Sequence, residues 1–275
     1  MKKRPKILIT NDDGIHAPGI RHLWNALKDF ADLVVCAPAH EQSAVGLSIT
    51  IRNPLQMQPI SWLAQVSAHH DTTHHMGANT WSISGTPADC IKLGLNVIFE
   101  QEAPDLVVSG INRGSNAGRN VLYSGTVAGA IEGVMHNIPA IAFSCHDHHE
   151  PNYLDFENHI PLIVKHVLEN PMPTGTLLNV NFPPKSHSKI QGFRMTRQGK
   201  ELWVENPDKR NHPAEGSEYY WLGAKVAKFD EHEESDISWL QKGYITAVPV
   251  HVGELTDHAH LNDHKESFAN LWALT

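Results

Sequence analysis

Two adjacent carboxylates, Asp12 and Asp13, follow an apolar run directly, in the stretch Ile7-Leu8-Ile9-Thr10-Asn11-Asp12-Asp13-Gly14. Side by side they repel each other unless something positive sits between or beside them. A hard divalent cation, Mg2+ or Mn2+, accepts carboxylate, amide and hydroxyl oxygens and would do so; an ordinary solvated Asp-Gly turn is the competing reading. The segment 109–118 offers the Asn112 amide oxygen, donors at Ser115 and Asn116, and glycines that let backbone N–H groups approach an anion. Read alone, it is also a glycine-rich loop with Asn turns. Tyr123-Ser124-Gly125-Thr126 precedes a helical pattern, and a helix N-terminus suits a phosphate. Simple N-capping by Ser or Thr competes with that. Ser43 stands among small residues (Ala44, Gly46, Ser48) in a segment that is equally a plain surface loop. Together these groups say more than each does alone. A phosphate cannot approach Asp12 and Asp13 without an intervening cation, and the neighbouring donors are mostly neutral. A metal between carboxylates and phosphate resolves the conflict and can also lower the pKa of a bound water.

These residues need a frame that brings them to one edge. Apolar strand-like runs at 6–10, 33–37, 81–84, 106–109, 140–144 and 177–181 alternate with helical patterns at 20–30, 87–99, 126–135 and 160–168. Thr86 as N-cap, Pro87 at the first helical position and Asp89 in the first turn mark one helix start. Near-continuous apolar strands separated by helices predict an α/β fold, a mostly parallel sheet with helices on both faces. In such sheets ligands bind at the carboxyl ends of the strands, where the polar loops above all lie. The stretch 185–234 breaks the rhythm: it is polar, with scattered aromatics (Phe193, Trp203, Tyr219, Tyr220, Trp221), and reads as projecting β-hairpin material. Residues 244–250 read as a returning strand. The expected division is a catalytic core at 1–184, a projecting hairpin region at 185–234, and a return strand with a C-terminal tail at 235–275.

The composition of the 275-residue chain limits the function classes. Apolar residues make up 41% and charged residues 19%, enough for a substantial core in one large domain or one domain with an appendage. A formal charge of −8 without Lys/Arg runs argues against polymeric nucleic acid as the main partner. Three cysteines, Cys36, Cys90 and Cys145, with no CxxC pair, fit core thiols in a reducing compartment. The basic start Met1–Arg4 is followed by too short an apolar run for a signal or membrane-spanning segment, so a cytoplasmic protein with no membrane partner is expected.

With these residues assembled, the chain resembles the SurE family (survival protein E, 5′/3′-nucleotidase). The segments that carry the resemblance are ILITNDDGIHAPGI, APAHEQSAVGLSITI, SGTPADCIKLG, VVSGINRGSNAG and YSGTVAGAIEG, in that order, with weaker echoes in TRQG and SDISWLQKGYITAVPV. The resemblance implies a Rossmann-like fold and one divalent cation per subunit, Mg2+ or Mn2+, with Asp12, Asp13, Ser43 and Asn112 as its oxygen ligands. It places phosphate contacts at Asn116, Ser124, Gly125 and Thr126. It implies hydrolysis of nucleoside 5′- and 3′-monophosphates, and of short polyphosphate by some members; for that reaction the acid pair is expected to act on the attacking water, Asp12 or Asp13 orienting it or taking its proton. It also implies a homodimer or homotetramer in which the C-terminal hairpin is exchanged.

Other readings fit less well. A receiver-type signalling domain needs an aspartate at the end of its central strand, where this chain has Ser84, Ser109 and Ser144 at its strand ends. A dinucleotide-binding oxidoreductase needs G-x-G-x-x-G after the first strand, where Asn-Asp-Asp-Gly stands instead. An aspartyl-nucleophile phosphatase needs D-x-D, and Gly14 occupies the second acid's place. Two histidine-rich stretches depart from the family pattern. His69–His75 reads as a solvated hairpin tip. His146, Asp147, His148 and His149 follow a strand on the ligand edge, as a polar loop or as lining of the pocket that couples activity to pH.

Overall fold

The computed structural model describes residues 3–61, 79–187, 189–223, 225–227 and 229–274, so the histidine-rich stretch 69–75 lies outside the described residues. In chain order the elements are β1 (Lys6–Thr10), α1 (Pro18–Leu27), β2 (Asp32–Pro38), β3 (Met57–Pro59), β4 (Thr80–Ile83), α2 (Pro87–Leu93) and β5 (Leu106–Arg113). Then come α3 (Gly125–Met135), β6 (Ala140–Cys145), α4 (Ile160–Glu169), β7 (Thr176–Phe182), β8 (Phe193–Met195) and β9 (Leu202–Val204). The chain ends with β10 (Asp208–Asn211), β11 (Glu218–Trp221), β12 (Lys225–Ala227), α5 (Asp236–Leu240), β13 (Ile245–His251) and α6 (His258–Ala269).

Nine strands form one sheet in the order β3-β4-β2-β1-β5-β6-β7-β13-β8. The central pairs β4/β2, β2/β1, β1/β5, β5/β6 and β6/β7 are all parallel. Their strands are buried on both faces, as the unbroken apolar runs require. One face carries a core of Ile20, Leu23 and Leu27 from α1 and Ile160, Val164 and Val167 from α4 against the sheet. The other carries Cys90 and Ile91 from α2 and Val127, Ala130 and Val134 from α3. The predicted α/β sheet with helices on both faces is therefore what the chain forms. All three cysteines are buried and unpaired, and burial pushes the Cys36 and Cys145 thiols up to about 12.

The local signals at α2 act as their chemistry dictates. Thr86 Oγ1 accepts the Asp89 N–H at 3.2 Å, and Asp89 Oδ2 accepts the Thr86 N–H at 3.0 Å, closing a capping box. The regular helix stops at Leu93 and continues as a wide π turn over Gly94–Ile98, not as the single helix the pattern predicts to residue 99. A Cβ on Gly94 would lie 3.0 Å from a Leu8 methyl, so the chain there presses directly on β1.

An ion pair ties α2 to α3. Glu132 is almost wholly buried; its Oε1 accepts Lys92 Nζ at 2.6 Å and also meets His136 Nε2 at 3.0 Å. Lys92→Met leaves that buried carboxylate with the histidine alone. Because Lys92 is partly solvated, the expected loss is about 2 kcal/mol, below the range for fully buried pairs. It is read as a lower urea midpoint at unchanged m-value. An unchanged midpoint would mean that apolar packing alone joins the two helices.

The C-terminal third differs from the prediction in detail. The projecting stretch forms two antiparallel ladders, β10/β11 and β9/β12, and β10 and β11 are exposed along their whole length. Residues 193–195, however, leave the projection and join the main sheet: β8 pairs parallel with β13, which itself runs antiparallel to β7. α6, which the sequence leaves as tail, is mostly polar and has no buried residue; its large apolar side chains, Leu261 and Phe268, are exposed. Among the described residues no helix is long and apolar enough to cross a membrane.

Candidate active site

The strand order reverses between β1 and β5: the chain moves from β1 outward through β2 to β4, then returns and continues through β5, β6 and β7. The carboxyl ends of β1 and β5 therefore flank a switch point, the place where open α/β sheets leave a crevice. Asp12 and Asp13 follow β1, and Asn112 lies near the end of β5. β5 runs four residues further than the sequence predicts. After an irregularity beyond Ser109, it pairs again at Asn112↔Ser144 and Arg113↔Cys145. Asn112 is thus a strand residue, not part of a free loop.

The turn after β1 aims the two acids apart. Asn11 Nδ2 donates to Gly14 O at 2.9 Å, and Ile15 N donates to Pro38 O at 2.8 Å, pinning the turn beside β2. Asp12 points beneath α3. Its Oδ1 accepts the Thr126 hydroxyl at 2.5 Å, and its backbone carbonyl accepts the Gln42 N–H at 2.7 Å. The start of α3 lies so close that a Cβ on Gly125 would fall 2.8 Å from Asp12 Cβ and 3.2 Å from Gln42 O, so only glycine fits there. Asp13 turns toward β5, where Oδ2 accepts the Arg113 N–H at 3.0 Å. Asn112 Nδ2 donates to Gly114 O at 2.7 Å, which leaves its Oδ1 available as an acceptor. Ser43, next to Gln42, is exposed and donates its hydroxyl to Glu41 Oε1 at 2.6 Å, leaving lone pairs free.

Burial raises the Asp12 pKa to about 7; the Thr126 hydroxyl opposes the shift and the Asp13 charge adds to it. Asp13 is raised too, mainly by burial, with the Arg113 N–H and charge opposing. No ion pair among the described residues includes either acid; the Arg113 guanidinium faces Glu41 instead, with Nη2 3.5 Å from Oε1. The donors that the ends of β1 and β5 and the 42–43 loop offer are all oxygen: two carboxylates, an amide and a hydroxyl. Their chemistry fits a hard divalent cation, and the buried acid without a basic partner is the group such an ion would compensate.

At the start of α3, Ser124 Oγ accepts the Val127 N–H at 3.0 Å. Ser124 is thus an N-cap, yet its O–H remains a donor. The Thr126 hydroxyl is spent on Asp12, so Thr126 orients that acid through its side chain. The Thr126 N–H also bonds to Asp12, so the Ser124 O–H and the Gly125 N–H are what this helix start offers an anion. Asn116 sits one strand further along and is almost fully buried; its Nδ2 donates to Ser144 Oγ at 2.8 Å. The structure thus joins Asp12, the 42–43 loop, Gly125 and Thr126 into one contact set and Asp13 with the 112–113 strand end into a second, while Asn116 is fastened to β6 and β7. His148 reaches this rim: its Cδ2 would be 3.7 Å from a Cβ on Gly114, and its charge acts on Asp13. His148 and His149 are exposed, whereas Asp147 accepts the Lys185 N–H at 2.6 Å.

Several supporting residues are absent from the sequence reading. Asp236 is buried and accepts the N–H groups of Gly118 at 2.9 Å and Gly199 at 2.7 Å. It clamps the end of the 112–118 segment to the TRQG motif, which gives both C-terminal echoes a physical role. Gly118 has φ +62, and a Cβ there would meet Glu201 O at 2.6 Å. Glu41, and the Asn179/Asn181 pair on β7, also went unread; a polar side chain at alternate positions of an otherwise apolar strand was the available signal.

Comparison with known proteins fits this geometry. The family model described as "Survival protein SurE" matches residues 7–205. A protein named 5′-nucleotidase SurE from Protochlamydia amoebophila is 55% identical over 268 residues, covering 98% of each chain. One of the same name from Christiangramia forsetii is 43% identical, covering 95% of this chain and 96% of its own. Among solved structures, the crystal structure of the SurE protein from Aquifex aeolicus superposes with a TM-score of 0.78 at 37% identity, covering 95% of this chain and 99% of that one. The chain belongs to the SurE family.

Proposed function

We propose that this chain is a 5′-nucleotidase that hydrolyses nucleoside 5′-monophosphates with the help of one divalent cation, Mg2+ or Mn2+, per subunit. The observation that carries the reading is Asp12, a carboxylate sealed under the start of α3 with no basic partner and a pKa near 7. Asp12, Asp13, Asn112 and Ser43 hold the ion. When bound, it would supply the positive charge that offsets the acidic pair and an incoming phosphate, and Lewis acidity toward water.

The chain's own residues do the rest. Thr126 fixes the Asp12 carboxylate by its hydroxyl, and the free carboxylate oxygens of the pair orient the attacking water and take its proton. The Ser124 hydroxyl, the Gly125 N–H and the Asn116 amide meet the phosphate oxygens and stabilise their charge in the transition state, while Thr126 holds Asp12. No cysteine acts as nucleophile, since burial keeps the three thiols protonated. Nucleoside 3′-monophosphates and short polyphosphate present the same terminal phosphate to the same donors and are accepted as well. The exposed aromatics Tyr219, Tyr220 and Trp221 on β11 support assembly as a homodimer or homotetramer through the projecting ladder, and the unpaired cysteines support a cytoplasmic location.

The test is phosphate release from a panel of 5′- and 3′-monophosphates and tripolyphosphate, with EDTA and then with Mg2+ or Mn2+ restored. Chelation is expected to lower turnover by about 10²-fold, and restored cation to recover it. Full activity in EDTA would reject the metal assignment. No phosphate release under any condition would reject the activity.

A further inference from the structure

β7, an inner strand between β6 and β13, carries the polar residues Asn179 and Asn181, 2% and 0% exposed. Neither belongs to the acid pair or to the start of α3. Both close on one residue across the crevice. Asn181 Oδ1 accepts the backbone N–H of Asn116 at 2.9 Å and the Ser115 hydroxyl at 3.2 Å. Asn179 Nδ2 donates to the backbone carbonyl of Asn116 at 2.9 Å. The Asn116 peptide is thus gripped at its donor and its acceptor by two side chains of one strand, while Ser144 on β6 holds its side chain. Chemistry fixes both amide orientations: an N–H partner demands an oxygen, and a carbonyl partner demands an NH2.

We infer that Asn179 and Asn181 are positioning residues for the hydrolytic reaction, holding Asn116 and the loop that starts at Asn112 in register with the phosphate. This inference rests on the proposed role of Asn116 toward phosphate. Buried polar residues confined to one strand, both aimed at a single loop residue, are costly unless fully used. The second amide atom of each, Asn181 Nδ2 and Asn179 Oδ1, is buried with no partner among the described residues, so the cost of burial is only partly offset and what the pair provides is the grip on Asn116 and Ser115. A misplacement of about 1 Å in such a donor is worth about 10²-fold in rate.

The pairing makes an asymmetric prediction. Asn181→Asp replaces only the unpartnered NH2 and keeps the oxygen that accepts from Asn116 and Ser115. Asn179→Asp replaces the NH2 that donates to the Asn116 carbonyl and sets two acceptors face to face. The two substitutions have the same size and charge and lie two positions apart on one strand; a role confined to stability would lower the melting temperature of Asn179→Asp and leave kcat per folded molecule unchanged, so melting temperature is measured beside kcat. Steady-state kinetics on a nucleoside 5′-monophosphate with saturating Mn2+ would measure both, along with Asn181→Leu, Asn116→Ala and the Asn116→Ala/Asn181→Leu double variant.

The expected result is a fall in kcat of roughly 10–100-fold for Asn179→Asp and Asn181→Leu, with KM changed less than about three-fold. Asn181→Asp stays within about five-fold of the parent, and the double variant is no slower than Asn116→Ala alone. Equal losses for the two Asn→Asp variants would overturn the inference, as would multiplied losses in the double variant. If Asn181→Leu does not fold, the Asn179→Asp/Asn181→Asp comparison decides alone. If Asn116→Ala is fully active, the reading of Asn116 fails; if Asn116→Ala is slow while Asn179→Asp is normal, the positioning role alone fails.

Discussion

Asp12→Asn is expected to lower kcat for a nucleoside 5′-monophosphate by about 10³-fold or more, with the chain still folded. The substitution keeps shape and one contact, because an Asn oxygen can still accept the Thr126 hydroxyl that now meets Asp12 Oδ1. It removes the charge. That charge is buried against the first turn of α3, where a side chain larger than Gly125 has no room and no lysine or arginine among the described residues pairs with it. The charge therefore has no structural counterpart within the chain, and its value lies in what it attracts. Asp13 is less enclosed and accepts the Arg113 N–H, so Asp13→Asn breaks the site less completely. Turnover of nucleoside 5′-monophosphate with saturating Mn2+, alongside far-UV circular dichroism, measures the effect. Activity within ten-fold of the parent would remove Asp12 from the chemistry and the cation with it.

The features that made Asp12 readable in the sequence are those that make it expensive in the fold. Three buried apolar residues, Ile7, Leu8 and Ile9, drive β1 into the middle of the sheet, and the acids come straight after it, so they must lie at the sheet's edge. Thr86, Pro87 and Asp89 mark the start of α2 because capping is local chemistry. Pairing between distant segments is not local, and there the sequence was silent or misleading. The glycines at 110 and 114 look like a loop, yet β6 recruits Asn112 and Arg113 back into the ladder. The three residues of β8 carry no period of their own and become a strand only because β13 offers an edge. α6 has no apolar face to betray it. Asn179 and Asn181 alternate with Leu178, Val180 and Phe182 as any strand would, and nothing nearby in the chain reveals that they grip residue 116. Site residues placed by strand ends were legible; those that hold them from another strand were not.

The second large effect follows from the same acid and concerns folding. The Asp12 pKa lies near 7 in the folded chain against an ordinary 3.8, chiefly because burial disfavours the charge. Between those values the folded chain keeps a proton that the unfolded chain has released. Without a cation, stability is therefore highest below about pH 4 as far as this group is concerned, falls as pH rises to about 7, and stays low above. The full displacement corresponds to about 4 kcal/mol. Asp13, also raised, acts in the same direction. An Asn at position 12 carries no charge at any pH, so the melting temperatures of the EDTA-treated parent and Asp12→Asn should converge below about pH 4. They should separate toward pH 8, with the variant the more stable by roughly 5–10 °C. Mn2+ should close that gap by stabilising the parent and not the variant, because an ion that binds only the folded carboxylate pair shifts the equilibrium by mass action. A gap that stays constant with pH, or one that widens toward acid, would mean that Asp12 is ionised and compensated within the apo fold, and the need for a cation at this position would go with it.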